Sequence, residues 1–209
     1  MDERSLPVTA VRSVGPDAIA IDIETPAEFD AQPGQFVKVT LPGEDESRFY
    51  TISSPDVEGT FEMTVGIDPD GEVAPRLAEL AAGDDLLVAG PFGSDYYEGE
   101  SRAVVIAGGP GVGPAVGIAE RALADGNEAA VVYQDDDPIH VDRLDALREA
   151  GAVVHLLGDD EELTEAVADA VADGGQVFIY GFADFLDAAT AALGAAGVDA
   201  DDAKVENFG

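Results

Sequence analysis

Near residue 100 the hydrophobic pattern of this chain changes its period, and one kind of sheet cannot serve both patterns. Before that point apolar and polar residues alternate over 8–14, 19–23, 36–41 and 61–65, the period of strands with one buried face. Gly15-Pro16, Pro33-Gly34 and Pro42-Gly43 punctuate them. Short strands at such close spacing predict an antiparallel barrel. One helix interrupts, expected over 74–82 with Leu77 and Leu80 on one side. Gly83-Asp84 ends it, and Leu86-Leu87-Val88 follows. After residue 100 the run Ala103-Val104-Val105-Ile106-Ala107 is continuously apolar, as in a strand buried on both faces. Similar strands are expected over 129–133, 153–157 and 176–180, with a short one over 203–206. Helical spacing separates them at Val112, Val116, Ala119 and Leu123, at Val141, Leu144 and Leu147, at Leu163, Ala166, Val167, Ala170 and Val171, and at Phe182, Phe185, Leu186, Ala189 and Leu193. Gly151 closes the second of these helices, and Gly194 with Gly197 closes the last. Strict βα alternation predicts a doubly wound parallel sheet. The expected architecture has two domains, an antiparallel β-barrel over 1–99 and an α/β parallel-sheet domain over 100–209.

Charge narrows the setting. The 209 residues carry 10 Lys and Arg against 44 Asp and Glu, a formal net charge of -34. Such self-repulsion opposes a compact state unless counterions screen it, and at about 1 M salt the screening length is roughly 3 Å. Lys38 and Lys204 are the only lysines. This balance, with a full apolar complement, points to the high-salt cytoplasm of a halophile. Nucleic acid is excluded as a partner, because no basic patch exists to neutralise phosphates. The absence of cysteine excludes disulfides and Cys-held iron–sulfur clusters. His140 and His155 lack ligand spacing, so no metal site is expected and both read as structural or exposed. The start Met1-Asp2-Glu3-Arg4 is too polar for a signal peptide. The longest uncharged run, 103–119, has 17 residues with five Gly and two Pro, short of a membrane span.

Four segments could carry chemistry. In Arg48-Phe49-Tyr50-Thr51-Ile52-Ser53-Ser54 a scarce arginine sits in an aromatic, hydroxyl-rich strand. A guanidinium fork matches phosphate oxygens, and a tyrosine can cover a planar ring. Gly71-Glu72-Val73-Ala74-Pro75-Arg76 opens the barrel-half helix, where backbone amides and Arg76 could meet a pyrophosphate. Gly108-Gly109-Pro110-Gly111-Val112-Gly113-Pro114 joins the first parallel strand to its helix, and backbone there can approach a phosphate closely. It is not the dinucleotide fingerprint, because Pro114 stands in the last glycine's place. Asp135-Asp136-Asp137 follows the second parallel strand, where an acidic residue suits a ribose hydroxyl. No Arg or Lys lies between Arg121 and Arg143, which favours NADH over NADPH.

The co-linear order of these segments resembles the ferredoxin–NAD(P)H reductase superfamily of flavoproteins over residues 5–209. Arg48-Phe49-Tyr50-Thr51 is similar to its R-x-Y-[ST] flavin motif. Residues 73–80, Gly83-Asp84 and Gly90-Pro91-Phe92-Gly93 are similar to the stretch from the pyrophosphate helix to the domain junction. Residues 109–114 resemble the G-T-G-x-x-P nicotinamide loop, and Val205-Glu206-Asn207-Phe208 the terminal Glu-x-aromatic.

The resemblance implies FAD rather than FMN, bound by the barrel through Arg48 at a phosphate, Phe49, Tyr50 and Ser53 along the strand, and Gly71, Val73, Ala74 and Arg76 at the pyrophosphate. Thr51, Glu206 and Phe208 would stand at the reacting ring. Gly109, Pro110, Gly111, Val112, Gly113 and Pro114, with Tyr180 and Gly181, would shape the nicotinamide site. Three places depart from the pattern: Tyr180 stands for a frequent Cys, Pro110 for Thr, and Ala74 for Ser or Thr. The implied activity passes hydride from NAD(P)H to flavin, then single electrons to a ferredoxin or a small-molecule oxidant. Without cysteine, the one-electron acceptor must be a separate molecule. Two alternatives stand beside it: a flavin-binding electron-transfer subunit of a larger complex without nicotinamide turnover of its own, and a nucleotide-binding regulator with no redox role.

Overall fold

The alternating half forms a six-stranded antiparallel sheet in a computed structural model that describes residues 2–209. Its strands are β1 (Arg4–Gly15), β2 (Ala18–Glu24), β3 (Phe36–Thr40), β4 (Ser47–Thr51), β5 (Thr60–Gly66) and β6 (Asp85–Phe92), with helix α1 (Ala74–Ala78) before the last. The order across the sheet is β4-β3-β6-β1-β2-β5. β1 is the corner strand: Arg4 to Pro7 pair with β6, and from Val8 onward it pairs with β2, with a register shift between Val8 and Ala10. Such an irregularity adds twist and lets the sheet curl. The two edges then meet. Ile52, just past β4, bridges Met63 of β5, and the Ser53 N–H donates to the Glu62 carbonyl at 2.8 Å. No ladder joins β4 to β5, so the expected barrel is a barrel-like sheet with a seam. Inward residues of every strand fill it, Ile21, Ile23, Val37, Val39, Phe61, Met63, Leu86 and Val88 among them.

The helix expected over 74–82 is only one turn and a half, Ala74–Ala78. Competing hydrogen bonds end it. The Asp84 carboxylate accepts the Ala81 N–H at 2.8 Å, and the Asp84 N–H returns to the Ala81 carbonyl. An Asp side chain that satisfies nearby backbone favours a turn over a further helical turn. Leu77 nevertheless sits fully buried in the barrel core.

The second half runs β7 (Arg102–Gly108), α2 (Val112–Ala124), β8 (Glu128–Gln134), α3 (Val141–Glu149), β9 (Val153–Leu157), α4 (Leu163–Ala170), β10 (Gln176–Gly181), α5 (Ala183–Ala195) and β11 (Lys204–Asn207). All five strands are parallel, in the order β11-β10-β7-β8-β9. Alternate residues of β7 serve the two faces: Ala103, Val105 and Ala107 pack under α2 and α3, Val104 and Ile106 under α4 and α5. The direction of winding reverses between β7 and β10. That is the switch point of a doubly wound sheet, where the loops leaving two neighbouring strands diverge and open a crevice. Gly194 does not stop the last helix, which continues to Ala195. Gly197, in the left-handed region at φ 78°, turns the chain away. Among the described residues no helix is long and apolar enough to cross a membrane.

Replacing Leu77 with alanine leaves a hole that a one-and-a-half-turn helix pinned at Asp84 cannot collapse to fill. Leu77→Ala should lower unfolding stability by about 2–5 kcal/mol, read by denaturant titration at fixed salt. A loss below about 0.5 kcal/mol, the range of surface changes, would show that α1 is not part of the core.

Candidate functional site

Strand β4 is an edge strand, hydrogen-bonded to β3 on one side, with Val37 opposite Tyr50 and Val39 opposite Arg48. Its other side borders a cleft of about 590 Å³ between the two halves. Arg48, Phe49, Tyr50 and Thr51 form one wall, and Gly71, Val73 and Ala74 continue it. Pro110, Pro114, Phe182 and Phe208 face them from the switch point. Burial pushes the Tyr50 phenol up to about 12, against the pull of Arg48, so the ring stays neutral.

A polar contact joins the two halves between residues 155 positions apart: Thr51 Oγ1 donates to Glu206 Oε1 at 3.0 Å. Register places Glu206 there, because β11 pairs with β10 through Tyr180 opposite Glu206. Burial raises the Glu206 carboxyl to about 7; the Thr51 hydrogen bond opposes the rise, and Asp95 adds to it. Beyond Glu206, Phe208 lies between Tyr180, 6.5 Å away and tilted, and Phe182, 6.1 Å away and edge-on. The Phe208 N–H donates to the Gly181 carbonyl and fixes the end of the chain over the crevice.

The glycine loop is set by its neighbour across the switch point. A Cβ on Gly111 would come 2.4 Å from the Tyr180 carbonyl oxygen, so only glycine fits. Gly109 has room for a side chain but holds φ at 55°. Pro110 and Pro114 reach the cleft.

Other expected site residues lie elsewhere. Ser53 is fully buried, and its hydroxyl donates to Glu62 at 2.7 Å. Val112 is core, and Gly113 presses on Thr64 and Ser53 of the barrel. Tyr180 is buried with its ring toward Gly34 and Asp95, and Gly181 packs on the Phe185 ring. Arg76 points into an adjoining hollow with Glu44, Glu46 and Glu72, and pairs with Glu44 at 2.9 Å. Arg48 is itself paired with Glu46. Both guanidiniums expected at phosphate thus hold carboxylates of the β3–β4 loop.

Sequence reasoning missed some of the lining. Phe182 reads there as helix core, yet it precedes α5, is 51% exposed and lines the cleft. A large aromatic directly after a strand-ending glycine was the available signal. Asp17, Thr64, Gly66, Ile67, Asp68 and Glu72 also line it. They come from turns and strand ends without a motif of their own.

Residues 5–97 match the model of the oxidoreductase FAD-binding domain. The chain is 30% identical over 148 residues to the electron transfer component of toluate 1,2-dioxygenase from Pseudomonas putida, covering 66% of this chain and 44% of that one. It is 32% identical over 194 residues to the ferredoxin reductase component of 3-ketosteroid-9-alpha-monooxygenase from Mycolicibacterium smegmatis, covering 84% and 55%. The chain thus spans about half the length of these curated relatives. In fold it matches the FAD/NAD-binding domain of nitric oxide dioxygenase from Vibrio cholerae along the whole of both chains, with a TM-score of 0.85 at 21% identity.

The half-buried Glu206 carboxyl has a testable pH signature. Its folded value of about 7 lies above the ordinary 4.5, so folding takes up a proton between them. The contribution of Glu206 to stability is full below about pH 4.5 and is lost as pH rises through about 7. Glu206→Gln does not titrate. Its stability relative to the parent should therefore climb from about pH 5 to about pH 8, measured by denaturant unfolding at each pH. A constant difference across that range would contradict the burial of a titrating carboxyl.

Proposed function

Because this chain belongs to the ferredoxin reductase-like flavoprotein oxidoreductase family, we propose that it is a flavin-dependent NAD(P)H oxidoreductase feeding a separate electron acceptor. The observation that carries this reading is the Thr51–Glu206 contact, which brings the Arg48-to-Thr51 wall and the switch-point crevice onto one cleft. Residues 1–99 would hold the flavin and residues 100–209 the nicotinamide nucleotide.

The residues present fit a flavin dinucleotide. A cleft of about 590 Å³ lies within the range of about 300–1,000 Å³ usual for small-molecule sites. It offers planar Tyr50 and Phe208, a hydroxyl at Thr51 and a cation at Arg48. Arg48 would hold a phosphate, exchanging Glu46 for a phosphate oxygen. Tyr50 would cover the ring, and Gly71, Val73 and Ala74 would line the diphosphate end, where Ala74 supplies no hydroxyl. Bound flavin supplies the capacity to accept a hydride and to give electrons up singly. The chain's own part is to orient and to exclude water. Phe182 and Phe208 would close the crevice, and Glu206 with Thr51 would hold a proton at the half-buried carboxyl near neutral pH. The glycine loop of residues 109–114 would admit the nicotinamide. The acidic Asp135-Asp136-Asp137 segment favours NADH, since it repels an extra phosphate. The acceptor would be a ferredoxin-like protein or a small oxidant, and the net charge of -34 suits work in a high-salt cytoplasm.

Anaerobic titration with NADH in concentrated salt tests this. Bleaching of a flavin absorption band is the expected result, and a purified protein that neither binds FAD nor bleaches ends the proposal. Bleaching by a reduced partner subunit but not by NADH would favour the electron-transfer subunit, for which Pro110, a cleft residue without a hydroxyl or a backbone donor, argues. Two variants probe the phosphate assignment in opposite directions. Arg48→Ala should weaken FAD affinity by about 10- to 100-fold, the range of a lost charged hydrogen bond. Glu46→Gln should strengthen it several-fold, most at low salt where repulsion is least screened. Equal affinity in all three proteins would remove Arg48 from the site.

A further inference from the structure

A second polar cluster lies behind the cleft, and it too joins the halves. Arg143 of α3 is partly buried, its side chain 22% exposed. Its Nε and Nη2 fork onto the Glu120 carboxylate of α2 at 2.7 and 2.6 Å. Its Nη1 reaches Glu62 of β5 at 2.8 Å, and Nη2 also donates to the Ser53 carbonyl at 2.8 Å. Glu62 accepts besides from the Ser53 hydroxyl and from Arg12 of β1, itself paired with Asp22. Burial works to raise the Glu62 carboxyl, but Arg143, Ser53 and Arg12 together hold it below its ordinary value. His140, kept neutral by burial, caps the cluster through Thr64 Oγ1 at 2.8 Å.

Beside this cluster helix α2 lies directly on the barrel. A Cβ on Gly117 would come 2.8 Å from the Ser53 carbonyl oxygen, and one on Gly113 would come 2.7 Å from Thr64. The seat and the cleft use adjacent residues on both sides. Thr51 lines the cleft and Ser53 holds the clamp; Pro114 lines the cleft and Gly113 rests on the barrel. The other arginine ion pairs among the described residues stay within one half.

We propose that Arg143 is a positioning residue: by clamping Glu62, Glu120 and the Ser53 carbonyl together, it fixes the Gly109–Pro114 loop against the Tyr50–Thr51 wall and so sets how a nicotinamide meets the flavin. This rests on the function proposed above, but the clamp itself does not. Two reach-limited contacts, a rigid guanidinium fork and a backbone-to-backbone seat, leave the loop little freedom. A misplacement of about 1 Å at reacting groups can cost about 10²-fold in rate.

The clamp is tested first without cofactor, by hydrogen exchange in Arg143→Met. Amides of 112–117 and 53–54 should exchange at least tenfold faster, while those of β7 and β8 stay as in the parent. Unchanged exchange at 112–117 overturns the proposal. The FAD-loaded protein provides the second reading. Arg143→Met should keep FAD affinity within about twofold, because the flavin wall belongs to the barrel. It should lower the limiting rate of flavin reduction by NADH at least tenfold with little change in KM, and lose the long-wavelength charge-transfer absorbance that forms with NAD+. Arg143→Lys should recover part of both. A limiting rate within twofold of the parent, or a loss carried wholly by KM or FAD affinity, overturns the positioning role. Should Arg143→Met fail to fold, Glu120→Gln, which weakens the fork at a half-buried carboxylate, replaces it with the same expectations. A parent protein whose flavin NADH does not reduce would sink the functional reading instead, and the exchange experiment would still decide the clamp.

Discussion

The crossing of residues 52–54 from one edge of the barrel sheet to the other is the contact on which the rest depends. Ile52 bridges Met63, and the Ser53 N–H meets the Glu62 carbonyl. Without that seam β4 is a free edge, and exposed edges of unpaired amides and carbonyls are a liability. With it the segment divides its work within seven residues. Arg48 to Thr51 face the cleft. Ser53 and Ser54 turn under helix α2 and make the floor on which the second half rests. The cleft wall and the seat of the second half are thus one piece of backbone, and neither can shift without the other.

Electrostatics reinforces that economy. A chain with 10 basic and 44 acidic side chains cannot place cations freely. Arg48 and Arg76 stand at the cleft and its adjoining hollow, each with a glutamate partner in water. Such exposed pairs are worth little and exchange readily. Arg143 is the opposite case. Glu62 and Ser53 are buried and Glu120 is half-buried, the fork is bidentate, and removing Arg143 leaves the buried Glu62 carboxylate short of a cation, which costs more than an exposed pair returns. The first pairs leave their cations free to change partner. The second suits a joint that must not move. Lys204 lies between the two kinds: its ammonium gathers the Tyr96 carbonyl, the exposed Glu98 and the half-buried Glu100 of the connector, two residues before Glu206 in the same strand.

Much of this was legible in the residues, and the boundary of legibility has a physical cause. Periodicity is local, so the change near residue 100 and the order of strands and helices could be read directly. The motifs 48–51 and 109–114 are local too, and Arg48, Tyr50, Thr51, Pro110 and Pro114 do meet on one cleft. Helix α1 is shorter than the spacing of Leu77 and Leu80 implies because the side chain of Asp84, read there as part of the stop, turns the chain back at Ala81, a contact to which periodicity is blind. Ser53 was grouped with the cofactor residues by adjacency alone. Its hydroxyl is spent on Glu62, nine positions away across the seam.

The clamp was out of reach for a stronger reason. Arg143 and Glu62 are 81 positions apart, and in a chain where Glu is abundant neither residue is conspicuous. Only two facts in the sequence bear on it, and they become evidence only when combined. Arginine is scarce, so each one marks a place where a cation is needed. Gly113 and Gly117 are spaced one helical turn apart, so both lie on one face of α2 and let backbone approach backbone. A bare glycine face says that something large and flat lies against the helix. A scarce arginine on the next helix says that the thing approached carries acid. Together they describe a docked barrel edge with an acidic strand, which is β5 at Glu62. A pattern of this kind is informative about the relation between two halves, where periodicity is informative only about each half alone.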